Sequence, residues 1–263
     1  MKIEPISILD VDVSFDFTTD CDYWPGFWKR NDGLGAGKQD PDIASQTLRQ
    51  YHQALWSRDL PCGKHMILEF GGPGCYLMYG DMELGSDSIT TEFRNGRGMA
   101  LQKDTRELLA DNVYETWMEE QLRLTYTMGG MILFPRHRNS LNQMRGFNAA
   151  ICDRWDLTLE CIRRYYLGII DQDNNPLGKH ILNDKAFFDL FVDFKGYCDF
   201  FFLQDCVTDD YQEVKMLIPT IPFKQGSAMP KDVKMYLKWM YNQGEFLRKR
   251  NARIKEYIHH LEV

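Results

Sequence analysis

MRGFNAAICDRWDLTLECIRRYY, residues 144–166, decides the reading of the fold. Met144, Phe147, Ile151, Trp155, Leu159, Ile162 and Tyr166 recur there every three or four residues, the spacing of one helical face. Leu157 and Cys161 fall on another side, so the stretch predicts a long helix buried at the centre of a core. Downstream, a helix is expected from about Leu177 to Phe194. A last one is expected from Pro230, suited to a first helical turn, to about Leu261. Upstream, Val11, Val13, Phe15 and Phe17 alternate with Asp10, Asp12, Ser14 and Asp16, which predicts a half-buried strand. Asp42 or Ser45 can cap a helix running to about Ser57. Further strands are expected at His65–Phe70, Cys75–Tyr79 and Thr125–Phe134, with a helix near Leu101–Leu124 between the last two. The expected class is α+β: N-terminal strands with a helix, then a mainly helical C-terminal half around a central buried helix. No repeat or linker divides it, so residues 1–263 read as a single domain.

Composition narrows the function classes. A hydrophobic fraction of 44% with 13% aromatics can fill a sizeable core. The longest apolar runs, such as Met128–Phe134, are far below the ~20 residues that cross a bilayer, so a cytoplasmic chain without a membrane partner is expected. Seven cysteines form no Cys-x-x-Cys pair and no zinc spacing with histidine, so neither metal nor cofactor is expected. The net charge is −7, yet Lys231–Glu256 carries eight Lys or Arg against three acids, a local excess of five positive charges. A basic stripe of this kind, with Arg248, Lys249, Arg250 and Arg253, suits a nucleic-acid backbone; a solvated helix face is the alternative.

Three constellations could carry chemistry. Tyr23, Trp24, Phe27 and Trp28 form an aromatic loop followed by Lys38, Asp40, Asp42, Arg49 and His52. A carboxylate in a turn before a helix can fix water or phosphate oxygens, and Arg49 and His52 lie about one turn apart on the same side. Pro41 with a capping Asp42 would make the same stretch a plain turn. In the central stretch, Arg145, Asn148 and Asp153 are placed to face a ligand, whereas Glu160, Arg163 and Arg164 read as an internal salt-bridge ladder. Arg253 and His259 have the spacing seen in a class of small helical ribonucleases, which makes a toxin-like ribonuclease the competing activity. A non-enzymatic binding module built on the aromatic loop is the third reading.

The chain also resembles a bacterial family through Phe15-Asp16-Phe17-Thr18-Thr19-Asp20, Gly37-Lys38-Gln39-Asp40-Pro41-Asp42 and the run from Ser45 to His52. Gly129-Gly130-Met131, Arg145-Gly146-Phe147, the run from Asp153 to Arg164 and Leu203-Gln204-Asp205 continue the likeness. It is similar to antiviral DNA glycosylases of phage-defence loci, which remove glucosylated hydroxymethylcytosine from phage DNA. The resemblance implies base flipping, aromatic walls around the base, and a carboxylate that positions water, with Asp40, Asp42 and Asp20 as candidates. Gln39-Asp40-Pro41 also looks like part of the water-activating loop of uracil-DNA glycosylases. Asp42 departs from that pattern where an aromatic is expected, and no His-Pro-Ser partner follows.

Overall fold

The computed structural model describes residues 3–21, 40–71, 76–90, 96–108, 112–224 and 226–262. Tyr23, Trp24, Phe27, Trp28 and Lys38 lie outside the described residues. The fold is α+β, with a four-stranded antiparallel sheet in the N-terminal half and a mostly helical C-terminal half.

Val11–Phe17 does not form the expected strand. Its apolar residues are still inward, with Val11, Val13 and Phe17 buried, but Asp12 and Asp16 bend the chain twice. Each carboxylate accepts the backbone N–H two residues on, Ser14 at 2.9 Å and Thr18 at 3.0 Å, and these Asx turns win over a ladder. The segment is tied to the core by Phe17 N–H to the Tyr126 carbonyl at 3.0 Å.

Helices α1 (Pro41–Ala44) and α2 (Gln46–Trp56) follow, then β1 (Glu69–Gly71), β2 (Tyr76–Tyr79) and β3 (Met82–Ser88). β3 was not expected: Gly85-Ser86-Asp87-Ser88 reads as a turn. It becomes a strand because β2 and β4 (Met131–Pro135) pair with its two edges, with Leu77 opposite Leu84 and Leu133 opposite Ser86. Between β3 and β4 the expected single helix is two, α3 (Gly96–Leu108) and α4 (Asn112–Thr125). Successive residues of β3 point to opposite faces. Ser86 meets α2 through His52, whereas Asp87 meets Arg145 on α5 (Leu141–Phe147). With helices on both faces, β4 is buried at all five positions and shows no alternation.

The long central helix is broken. α5 ends at Asn148, whose side chain accepts Ala150 N–H at 2.9 Å, and Cys152 and Asp153 adopt positive φ of 51° and 62°. α6 (Trp155–Tyr166) then starts afresh, and its residues Trp155–Ile162 are all buried, so the central position is correct although the continuity is not. The expected Leu177–Phe194 helix is likewise α7 (Gly178–Asn183), α8 (Lys185–Phe188) and a 3₁₀ turn at Asp189–Phe191. α9 (Phe194–Phe200) adds Tyr197, Phe200 and Phe201 to an aromatic core with Phe187, Phe188 and Phe191. Inside α6, Asp156 pairs with Arg154, which donates to the Ala228 carbonyl at 2.9 Å and fastens the irregular segment before the last helix.

α10 (Val233–His260) closes the structure, capped by Asp232, whose carboxylate accepts Met235 N–H at 2.8 Å. It crosses the 3₁₀ turn Met128–Gly130 so closely that a Cβ at Gly129 would stand 2.6 Å from the Leu247 carbonyl oxygen. Gly129→Ala therefore forces the helix and the turn apart. Overpacking of this kind costs about 1–3 kcal/mol, so Tm should fall by several degrees in thermal unfolding. An unchanged Tm would refute the close approach.

Candidate functional site

The Asp40–His52 stretch separates into capping groups and a recess. Asp40 is the N-cap of α1: its carboxylate accepts Asp42 N–H at 3.3 Å and the Tyr126 hydroxyl at 3.3 Å. Asp20 performs a similar task for α2, accepting the Ser45 hydroxyl at 2.6 Å and Thr47 N–H at 3.0 Å, while Ser45 itself accepts Leu48 N–H. Both carboxylates thus satisfy helix N-termini. Asp42 is placed differently. It lines a narrow recess with Arg49, His52, Leu84 and Ser86, between α1, α2 and the sheet. The cavity volume is about 10 Å³, room for about one water-sized atom.

The hydrogen bonds behind this recess run in one direction. Trp56 Nε1–H can only donate, and it lies 2.8 Å from His52 Nδ1. His52 must therefore accept at Nδ1 and, as a neutral ring, carry its proton on Nε2, which donates to Ser86 Oγ at 3.0 Å. Ser86 Oγ in turn faces Asp42 Oδ1 at 3.4 Å. Burial, aided by the charge of Arg250, lowers the His52 pKa to about 3, so the ring stays neutral. Serine, histidine and aspartate in contact look like a nucleophilic triad, but the wiring is reversed: His52 donates to the serine and cannot take its proton. The chain orients Asp42 instead.

Arg49 sits on the same side as His52, as its spacing predicts. It is 8% exposed, its Nε is buried, and among the described residues it has no hydrogen-bond or ion-pair partner. A guanidinium donor and a carboxylate acceptor thus flank one oxygen-sized space.

Arg145 and Asp153 meet on the other face of β3. The Arg145 guanidinium, 0% exposed, donates to Asp87 Oδ2 at 2.6 Å and the Ser88 carbonyl at 3.1 Å, and lies 3.2 Å from Asp153 Oδ1. Burial pushes Asp87 up to about 6 against the pull of Arg145, with the charge of Asp153 adding to the rise. Asp87 was missed in the sequence because nothing marks a strand around it. The Asn148 carboxamide accepts Ala150 N–H at 2.9 Å and makes the turn after α5. Glu160 forms the expected ladder, bonded to Arg163 and Arg164 at 2.7 Å each.

The three arginines of the basic stripe are engaged, whereas its lysines, Lys231, Lys234, Lys238, Lys249 and Lys255, are exposed. Arg250 is a correction: it is fully buried, and donates to the carbonyls of Phe201 at 2.9 Å and of Gly129 and Met131 at 2.8 Å. No phosphate reaches it there. Arg248 pairs with Glu245 at 2.8 Å and Arg253 with Asp205 at 3.2 Å, while Lys249 is exposed. His259, the other half of the ribonuclease pair, is exposed beside Glu262 at 3.1 Å. Among the described residues, no group of three or more His, Cys, Asp or Glu could hold a metal ion, and no helix is long and apolar enough to cross a membrane.

The neutral His52 has a consequence for acid stability. Its folded pKa lies below the unfolded value of about 6.5, so between about pH 6.5 and 3 the unfolded chain binds a proton that the folded chain does not. Stability from this group is present above the unfolded pKa and is lost as pH falls. His52→Gln is expected to be less stable at pH 7 but to have a flatter acid limb, with the gap to wild type narrowing by about 2 kcal/mol from pH 6 to pH 4 in urea unfolding. Parallel pH profiles would contradict a neutral buried ring.

No curated protein and no solved structure matches the chain. Residues 11–254, which hold both faces of the sheet, the recess and most of α10, match the model of a family of unknown function, DUF6994, and the chain belongs to that family.

Proposed function

We propose that this chain is a hydrolase that cleaves the N-glycosidic bond of a nucleotide in DNA, with Asp42 as the carboxylate that directs water. The observation that carries the reading is the recess in which Asp42 and Arg49 flank space for one oxygen atom. Water placed there donates a proton to Asp42 and accepts from Arg49, so the two side chains hold it and prepare it for attack. As the C1′–N bond breaks, its electron pair leaves with the base, which takes a proton from solvent. The water oxygen bonds to C1′ and its proton passes to Asp42. The carboxylate also opposes the positive charge that develops on the sugar, a stabilisation realised only in the transition state.

Ser86, His52 and Trp56 support this role by holding Asp42 without competing for its proton. The recess is too small for a base, so in this reading the base is held by Tyr23, Trp24, Phe27 and Trp28. A modified cytosine is the base that the resemblance to antiviral glycosylases implies. Asp40 and Asp20 are helix caps in this assignment. Arg253 and His259 are both held by acidic neighbours on the surface, Asp205 and Glu262.

Single-turnover assays on glucosylated phage DNA, unmodified DNA and total RNA test the assignment, with abasic sites revealed by alkali. Asp42→Asn should lower excision by ~10²-fold or more while leaving DNA affinity nearly unchanged. Asp40→Asn and Asp20→Asn should retain excision and lose only stability, about 1 kcal/mol for a lost cap. Full excision by Asp42→Asn would remove the assigned carboxylate. RNA cleavage abolished by His259→Ala, with no abasic sites in any DNA, would replace the reading with the ribonuclease.

A further inference from the structure

We infer that the loop leaving β4, with the start of α7, is a docking surface for the phosphate backbone of duplex DNA. The inference rests on the reading of the chain as DNA-directed, but is carried by a different part of the molecule from the recess. Arg136, His137 and Arg138 follow β4 directly, and Lys179 and His180 open α7 about forty residues later. His180 Nδ1 bonds the Asn139 carbonyl at 3.0 Å, which brings the two basic stretches side by side.

The surface is rigid. Arg136 N–H continues the ladder to the Glu83 carbonyl at 2.9 Å, and its guanidinium lies 3.9 Å from the centroid of the Tyr76 ring. His137 acts as the clip. Its Nε2 is 2.5 Å from Asp184 Oδ1 and its Nδ1 is 2.9 Å from the Arg138 carbonyl, so both ring nitrogens face acceptors, an arrangement that favours the protonated ring. The hydrogen bond that the ring donates to the Asp184 carboxylate raises the His137 pKa. Asp184 is buried, its side chain 3% exposed, and is occupied by the clip.

The remaining cations are available. Arg138 and Lys179 are exposed, and among the described residues no carboxylate pairs with Arg136, Arg138 or Lys179. On α10 the arginines differ from these, since Arg248 and Arg253 are paired and Arg250 is buried, and the exposed cations there are lysines spread along the helix. Folding gains little from unpaired like charges placed together on a rigid base, whereas an anionic polymer gains a counterion-releasing contact at each one. On a chain of net charge −7 such a patch fixes which side approaches DNA.

The test is the salt dependence of binding to a fluorescent, unmodified duplex of arbitrary sequence, read by anisotropy between 50 and 200 mM salt. The triple variant Arg136→Gln, Arg138→Gln, Lys179→Gln should flatten the log–log slope by about 2 to 3, one contact per cation. A charge-matched control outside both basic surfaces, Lys64→Gln, Lys215→Gln, Lys224→Gln, should leave the slope unchanged. An unchanged slope in the first variant, an equal loss in the control, or the same sensitivity with tighter binding to duplex RNA or to anionic vesicles overturns the surface. Excision is measured in parallel: a flattened slope without excision by the wild type would overturn the glycosidic reading and leave this surface standing. Intact excision with an unchanged slope would do the reverse.

Discussion

The buried guanidinium of Arg250 is the contact on which the rest depends. It joins α10 to the turn before β4 through the carbonyls of Gly129 and Met131, and to the end of α9 through that of Phe201. Three charge-assisted bonds offset a desolvation cost that no carboxylate shares, and burial still pulls the Arg250 pKa down to about 10. The glycine at 129 lets the helix come near enough for those bonds to form. The same charge helps to lower the pKa of His52, so the residue that closes the fold also fixes the protonation state of the relay behind Asp42. Packing and site chemistry share one group.

β3 organises the polar interior. Its pleat sends Ser86 to the side of α2 and Asp87 to the side of α5, and each meets a different charged system. On one side a neutral relay ends at Asp42; on the other, Arg145 is enclosed by Asp87 and Asp153. The second system is closed, because its guanidinium is met by carboxylates and carbonyls. The first is open in the sense that, among the described residues, no carboxylate or carbonyl meets the Arg49 guanidinium.

Much of this was legible, and the failures have physical causes. The C-terminal helix, the α2 cap and the Glu160 ladder follow from local spacing, which tertiary contacts only reinforce. Val11–Phe17 shows the limit of periodicity: alternation predicts which side chains are buried, and they are, but the aspartates between them have backbone partners of their own. The break at Asn148–Arg154 was hidden because both sides keep helical spacing while Arg145 binds the left-handed Asp153 across the gap. β3 was hidden for the opposite reason. Its residues have no preference for a strand, and only two neighbouring strands make it one.

At the recess, the sequence places Asp42, Arg49 and His52 in one stretch but does not separate caps from recess. Asp20, Asp40 and Asp42 are equivalent as letters; they differ in whether a helix N-terminus already uses the carboxylate. Arg49 carries the strongest physical signal. A buried guanidinium without a partner costs several kcal/mol, and among the described residues none pairs with Arg49, whereas a methionine or leucine there would meet Leu48 and Leu133 at no such cost. In the proposed reading, an oxygen beside Arg49 accepts from the guanidinium while it gives its proton to Asp42, and a hydroxyl or a water has both capacities.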